Sequence, residues 1–182
     1  MVKATILVTR DTRESSPPLH HLLRLKILLF QTLTQSLSLV SKIILPQHEI
    51  MLEALPGPGQ SPCAKTGMNW KQYQSVDTIF SWLDCMQQHF GHKMSVRDIG
   101  RSSEGRPLKL VQIGAGGTNK PAVFIDGGIH AREWVSPAAV TYLIHRMVET
   151  EGEYNNLLDK FTVYILPIVN PDGYEYSREH DR

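Results

Sequence analysis

The residues with the clearest chemical potential lie in Ile129-His130-Ala131-Arg132-Glu133-Trp134-Val135-Ser136-Pro137. His130 and Glu133 stand three positions apart. An imidazole nitrogen and a carboxylate oxygen are both good zinc ligands. Arg132 lies between them, and its planar guanidinium suits a carboxylate or carbonyl oxygen. The set suggests a metal ion, a charged substrate group and hydrolysis. Two ligands do not complete a zinc site, which takes at least three from the protein.

The surrounding sequence predicts how these residues are held. Pro121–Asp126 reads as a short apolar strand buried on both faces. Gly127-Gly128 ends it and permits a sharp turn. A helix is expected from Ser136-Pro137, with Ser136 as N-cap and Pro137 at the first helical position. Ala139, Val140, Leu143, Ile144, Met147 and Val148 form its apolar face. A further buried strand is expected over Phe161–Val169. Asn170-Pro171-Asp172-Gly173 has the composition of a turn, and Tyr174–Tyr176 reads as extended.

Upstream, Ser75 and Asp77 predict a helix start. Val76, Ile79, Phe80, Leu83 and Met86 then recur near the helical period, and Gly91 closes the segment. Strands are expected over 93–99 and over Pro107–Ile113, with a glycine-rich loop at Gly114–Asn119. The order helix, strand, strand, strand, helix, strand indicates an α/β layered sheet. Ligands bind at the carboxyl ends of the strands in such sheets, where His130 and Glu133 fall.

Composition narrows the function. The 182 residues carry a net charge of +1, which gives no electrostatic case for nucleic acid or an anionic membrane surface. The run Ile27–Ser41 is too short and polar to span a membrane. Asp11 and Glu14 precede it and no small-residue cleavage site follows, so a signal peptide is not expected. Cys63 and Cys85 read as two free thiols. A Pro/Gly-rich linker, Pro56–Pro62, separates two parts: residues 1–67, expected to be an atypical disordered segment, and a domain over 68–182.

The stretch Pro121-Ala-Val-Phe-Ile-Asp-Gly-Gly-Ile-His130-Ala-Arg-Glu133-Trp-Val-Ser-Pro137 resembles the first zinc-binding signature of the metallocarboxypeptidases, in the wording of the A/B branch. Gly100-Arg-Ser-Ser-Glu-Gly-Arg106-Pro-Leu and Ile168-Val-Asn-Pro-Asp-Gly173-Tyr are similar to two further family segments, in the same order. The resemblance runs from about Met68 to Arg182, and residues 1–67 do not resemble the family's usual pro-segment.

The resemblance implies an α/β/α layered fold with a mixed central sheet, cut short at its C-terminal side. It implies zinc as cofactor, His130 and Glu133 as two of three metal ligands, and Arg132 as a substrate contact. It implies hydrolytic release of C-terminal amino acids from peptide or protein substrates, in an extracellular setting. The third ligand, the general base and the second-shell aspartate are expected beyond Arg182, so no catalytic base is assigned here. His145 and His180 read as a polar helix residue and a frayed end rather than replacement ligands. The chain is thus expected to be a fragment inactive alone, the alternative being a non-catalytic protein that binds peptides or a partner. Oligomeric state and preferred C-terminal residue are not legible.

Overall fold

The computed structural model describes residues 6–9, 61–114, 120–150, 152 and 154–180. Within them the elements run β1 (Ile6–Thr9), α1 (Val76–Phe90), β2 (Met94–Arg101), β3 (Pro107–Ile113), β4 (Ala122–Asp126), α2 (Val135–Glu149), α3 (Asn155–Lys160), β5 (Thr162–Leu166) and α4 (Pro171–Glu179). The strands form one sheet in the order β1-β4-β5-β3-β2. β4 and β5 are parallel and every other pairing is antiparallel. The mixed sheet is therefore as expected. Parallel neighbours need a long crossover, and α2 and α3 supply it. No helix of the described residues is long and apolar enough to cross a membrane.

Local sequence explains the helix that precedes the sheet. The Ser75 side chain accepts the Thr78 N–H at 3.1 Å, and Asp77 sits in the first turn of α1. Val76, Ile79, Phe80, Trp82, Leu83 and Met86 are buried along its inner face. They share one core with Val111 and Ile113 of β3, Val123 and Ile125 of β4, Ile144 and Val148 of α2, and Val163 and Ile165 of β5. That shared core is what fixes the sheet's register, because a one-residue slip would turn each apolar set outward.

Several elements differ from expectation for identifiable reasons. Cys63 and Cys85 are joined as a disulfide, which corrects the free-thiol reading. A short 3₁₀ turn, Ala64–Thr66, brings Cys63 against α1, and Cys63 is 1% exposed. Ser61 also donates to Glu149 of α2 at 3.0 Å, so residues 61–67 pack with the domain. Ile6–Thr9, inside the segment expected to be disordered, forms a strand along β4. The stretch between these two pieces, with the run Ile27–Ser41 and the linker residues 56–60, lies outside the described residues.

β4 is buried on one face only, through Val123 and Ile125, while Ala122, Phe124 and Asp126 are half-buried. β5 stops at Leu166 rather than Val169, since Pro167 has no N–H for a ladder. Asn170–Tyr176 is not a turn and strand but the start of α4. Asn170 caps it, accepting the Gly173 N–H at 3.0 Å, and Pro171 takes the first position. The short polar helix α3 was not foreseen.

His145 also departs from its reading as an ordinary polar helix residue, being 5% exposed. Its ring lies 4.6 Å from that of Trp70, and Nδ1 is 3.1 Å from Glu149. It sits about 15 Å along α2 from the first turn, so it does not join His130.

Candidate metal centre

The loop between β4 and α2 is shaped by backbone contacts before any functional side chain enters. The Gly127 N–H donates to the Leu166 carbonyl at 2.9 Å. Val169 and Asn170 N–H groups then donate to the Gly127 and Gly128 carbonyls at 2.9 and 3.0 Å. The ends of the two parallel strands are thus laced together past the last ladder bonds. A Cβ on Gly127 would meet the Pro167 carbonyl oxygen at 2.8 Å, so only glycine permits this approach. Gly128 has φ +62°, and a Cβ there would lie 2.9 Å from Pro137 Cγ. Gly128→Ala should therefore cost about 1–3 kcal/mol of stability through strain and overpacking. An unchanged urea midpoint for that variant would contradict the account.

Ser136 holds this loop from the helix side. It was expected to cap α2, but α2 already begins at Val135, with Trp134 at the cap and no side-chain cap bond. The buried Ser136 hydroxyl instead accepts the Gly128 N–H at 3.2 Å. Ser177 of α4 is a positioning residue that sequence reading missed. Its hydroxyl accepts the Trp134 indole N–H at 2.8 Å and lies 2.8 Å from the Ala131 carbonyl oxygen.

His130 and Glu133 bracket the resulting turn, in which the Glu133 N–H donates to the His130 carbonyl at 3.2 Å. The structure brings their side chains together, with His130 Nδ1 3.1 Å from Glu133 Oε1. Two ligands on one tetrahedral zinc stand roughly 3.4 Å apart, given typical Zn–N and Zn–O lengths. His130 is 57% exposed at its side chain and Glu133 27%. Glu133 Oε2 is buried and has no hydrogen-bond donor among the described residues. A buried carboxylate oxygen without a partner is costly, and a cation bound beside it would relieve that cost. The donor set and this orphaned oxygen both fit zinc.

Arg132 points to solvent and makes no hydrogen bond or ion pair among the described residues. No third His, Cys, Asp or Glu among those residues stands with His130 and Glu133 in a ligand cluster. His180, at the C-cap of α4, stacks on Tyr176 with ring centroids 4.2 Å apart.

A second network ties the start of α4 to the loop between β2 and β3. Asp172, in the first turn of α4, accepts from the Ser102 hydroxyl at 2.7 Å, the Glu104 N–H at 3.0 Å and Arg106 Nη1 at 2.7 Å. Arg106 also pairs with Glu104. Burial pushes the Asp172 carboxyl up, but the Ser102, Glu104 and Arg106 donors outweigh it and hold the group below its ordinary value. The same hydrogen bond to Asp172 holds the Arg106 guanidinium above its own. Two segments that looked separate in sequence, Gly100–Leu108 and Ile168–Tyr174, are therefore direct partners. The carboxylate in Asn-Pro-Asp-Gly was the available signal.

The family model described as zinc carboxypeptidase matches residues 79–182. Carboxypeptidase B of Astacus astacus is 44% identical over 115 residues, covering 63% of this chain and 38% of that protein. Bovine thrombin-activatable fibrinolysis inhibitor, solved with tick carboxypeptidase inhibitor, aligns with TM-score 0.54 at 35% identity, over 62% of this chain and 36% of its own. Carboxypeptidase A of Helicoverpa armigera aligns with TM-score 0.57 at 27% identity, over 74% and 34% respectively. The chain spans little more than a third of the length of these relatives. With a family model matching more than half of its residues and its motifs placed around one strand-end loop, the chain belongs to the zinc carboxypeptidase family.

Proposed function

We propose that this chain provides His130 and Glu133 as two zinc ligands of a metallocarboxypeptidase site that releases C-terminal amino acids from peptides. The observation that carries the reading is the paired geometry of His130 and Glu133, with Glu133 Oε2 buried and lacking a donor among the described residues. Zinc bound there would supply a Lewis acid for the scissile carbonyl and lower the pKa of a bound water. Glu133 places its negative charge beside the N-terminus of α2, where the helix dipole favours it. Arg132, exposed and unpaired among the described residues, could engage a substrate carbonyl or carboxylate. The Ser136 and Ser177 contacts keep the loop in position without touching substrate.

Only two protein ligands cluster here among the described residues, and the general base is not assigned to any of them. The 182-residue chain alone should therefore bind zinc weakly and release no amino acid. The Cys63–Cys85 bond fits an oxidising, extracellular setting.

Equilibrium dialysis of the oxidised chain against zinc tests the ligand assignment. Loss of outer-sphere partners already costs about 10–100-fold in metal affinity, so His130→Ala and Glu133→Ala should each cost at least that. Unchanged zinc affinity in both variants would overturn the reading. Zinc-independent peptide retention that requires Arg132 would favour a non-catalytic binding role instead.

A further inference from the structure

A second cluster of metal-ligating atoms lies toward the C-terminal end of α1. Cys63 Sγ, Cys85 Sγ and one ring nitrogen of His89 all fall within 4.8 Å of one another. Cys85 and His89 are four residues apart on α1, which places them on the same helix face. Cys63 approaches from the 3₁₀ turn, with its Cα 5.8 Å from that of Cys85. We propose that this cluster is a redox-gated metal site, closed as a disulfide and able to bind a thiophilic divalent cation such as zinc once reduced.

The chemistry balances with a dithiol reductant. Its two sulfurs form their own disulfide, and the two electrons and two protons released convert the Cys63–Cys85 bond to two thiols. Cation binding then displaces both thiol protons, since thiolates are the ligands. Two thiolates and one imidazole leave a fourth tetrahedral position for water. Sulfurs on one zinc stand roughly 3.8 Å apart, from the usual Zn–S length. Cα atoms at disulfide spacing reach that separation by side-chain rotation. The site is also graded in access: Cys63 is buried, Cys85 half-buried and His89 exposed. A cation can therefore enter from the His89 side. His130 and Glu133 contain no sulfur, so thiolate chemistry at this cluster is distinguishable from metal binding at theirs.

Cobalt(II) titration of the full chain provides the test, because thiolate-to-cobalt charge transfer absorbs in the near ultraviolet. The oxidised protein should show no such band. The dithiol-reduced protein should show one at a stoichiometry of one cobalt per chain, and zinc should displace it. His89→Ala, an exposed change at the end of α1, should weaken cobalt binding at least about tenfold, by the scale of ligand-support losses. His130→Ala should leave the band unchanged. Far-ultraviolet circular dichroism of the reduced protein, recorded alongside, should retain the helical signal. The proposal is overturned if the reduced chain gives no band. It is equally overturned if the band is indifferent to His89→Ala, or appears only when helical signal is lost.

Discussion

Replacing Asp172 with alanine should lower the stability of the chain by about 2 kcal/mol. The change removes the acceptor shared by Ser102, Glu104 and Arg106. Hydrogen bonds to a charged group are worth more than neutral ones, but the Arg106 side chain is 33% exposed, and solvent screens part of its attraction. The effect should reach beyond local stability. Asp172 lies between Asn170, whose N–H holds the Gly128 carbonyl, and Gly173, where an added Cβ would meet Ala131 Cβ at 3.1 Å. Urea unfolding of the variant measures the loss, and a shift below a few tenths of a kcal/mol would show that the network carries little.

The same carboxylate sets a pH dependence. Its folded-state pKa is held below the ordinary carboxylate value, because the Ser102, Glu104 and Arg106 donors outweigh the effect of burial. Its contribution is therefore complete above the unfolded value, and is lost as pH falls through the folded one. Wild type should lose stability in that acid range more steeply than Asp172→Ala, which has no such group to protonate. Parallel acid profiles for the two proteins would exclude Asp172 as a source of the slope.

The second large effect concerns the disulfide. Cys63 and Cys85 are 22 residues apart in sequence. Loop-closure entropy for that length predicts a loss of about 3 kcal/mol on removing the link. The double variant Cys63→Ser, Cys85→Ser should show that loss in urea unfolding relative to the oxidised protein. Ser61–Gly67 should become readily cleaved by protease, since its remaining anchor to α2 is the Ser61–Glu149 hydrogen bond. Coincident unfolding curves would mean that packing of the turn, not the covalent link, holds the segment.

What could be read from sequence divides along a physical line. α1 was legible because its apolar positions recur at the helical period and Ser75 supplies a cap whose bond is local. β3 was legible because Leu108, Leu110, Val111 and Ile113 fall in a short stretch bounded by Gly105 and Gly114. The start of α4 was misread because Asn, Pro, Asp and Gly favour both a turn and a helix N-terminus. Only contacts from β2–β3 and from the Gly128 carbonyl decide between them. Ser136 was misassigned for a similar reason: its hydroxyl had a local role available, and a buried glycine N–H claimed it. The disulfide joins residues that come together only after folding. At the site, the His130 and Glu133 pairing followed from spacing and family wording. The orphaned Glu133 oxygen and the Ser177 brace depend on packing and left no mark in the sequence.

The lacing of Gly127 and Gly128 to Val169 and Asn170 has a thermodynamic consequence. A loop free in the folded state would surrender its conformational entropy at the moment a metal or substrate arrived, and affinity would fall accordingly. Here that entropy is lost during folding, when β4 and β5 align and the backbone bonds beyond them close. His130 Nδ1 and Glu133 Oε1 stand 3.1 Å apart in the folded chain. On the proposed zinc assignment, the free energy of binding would be left to coordination chemistry rather than to the ordering of the chain.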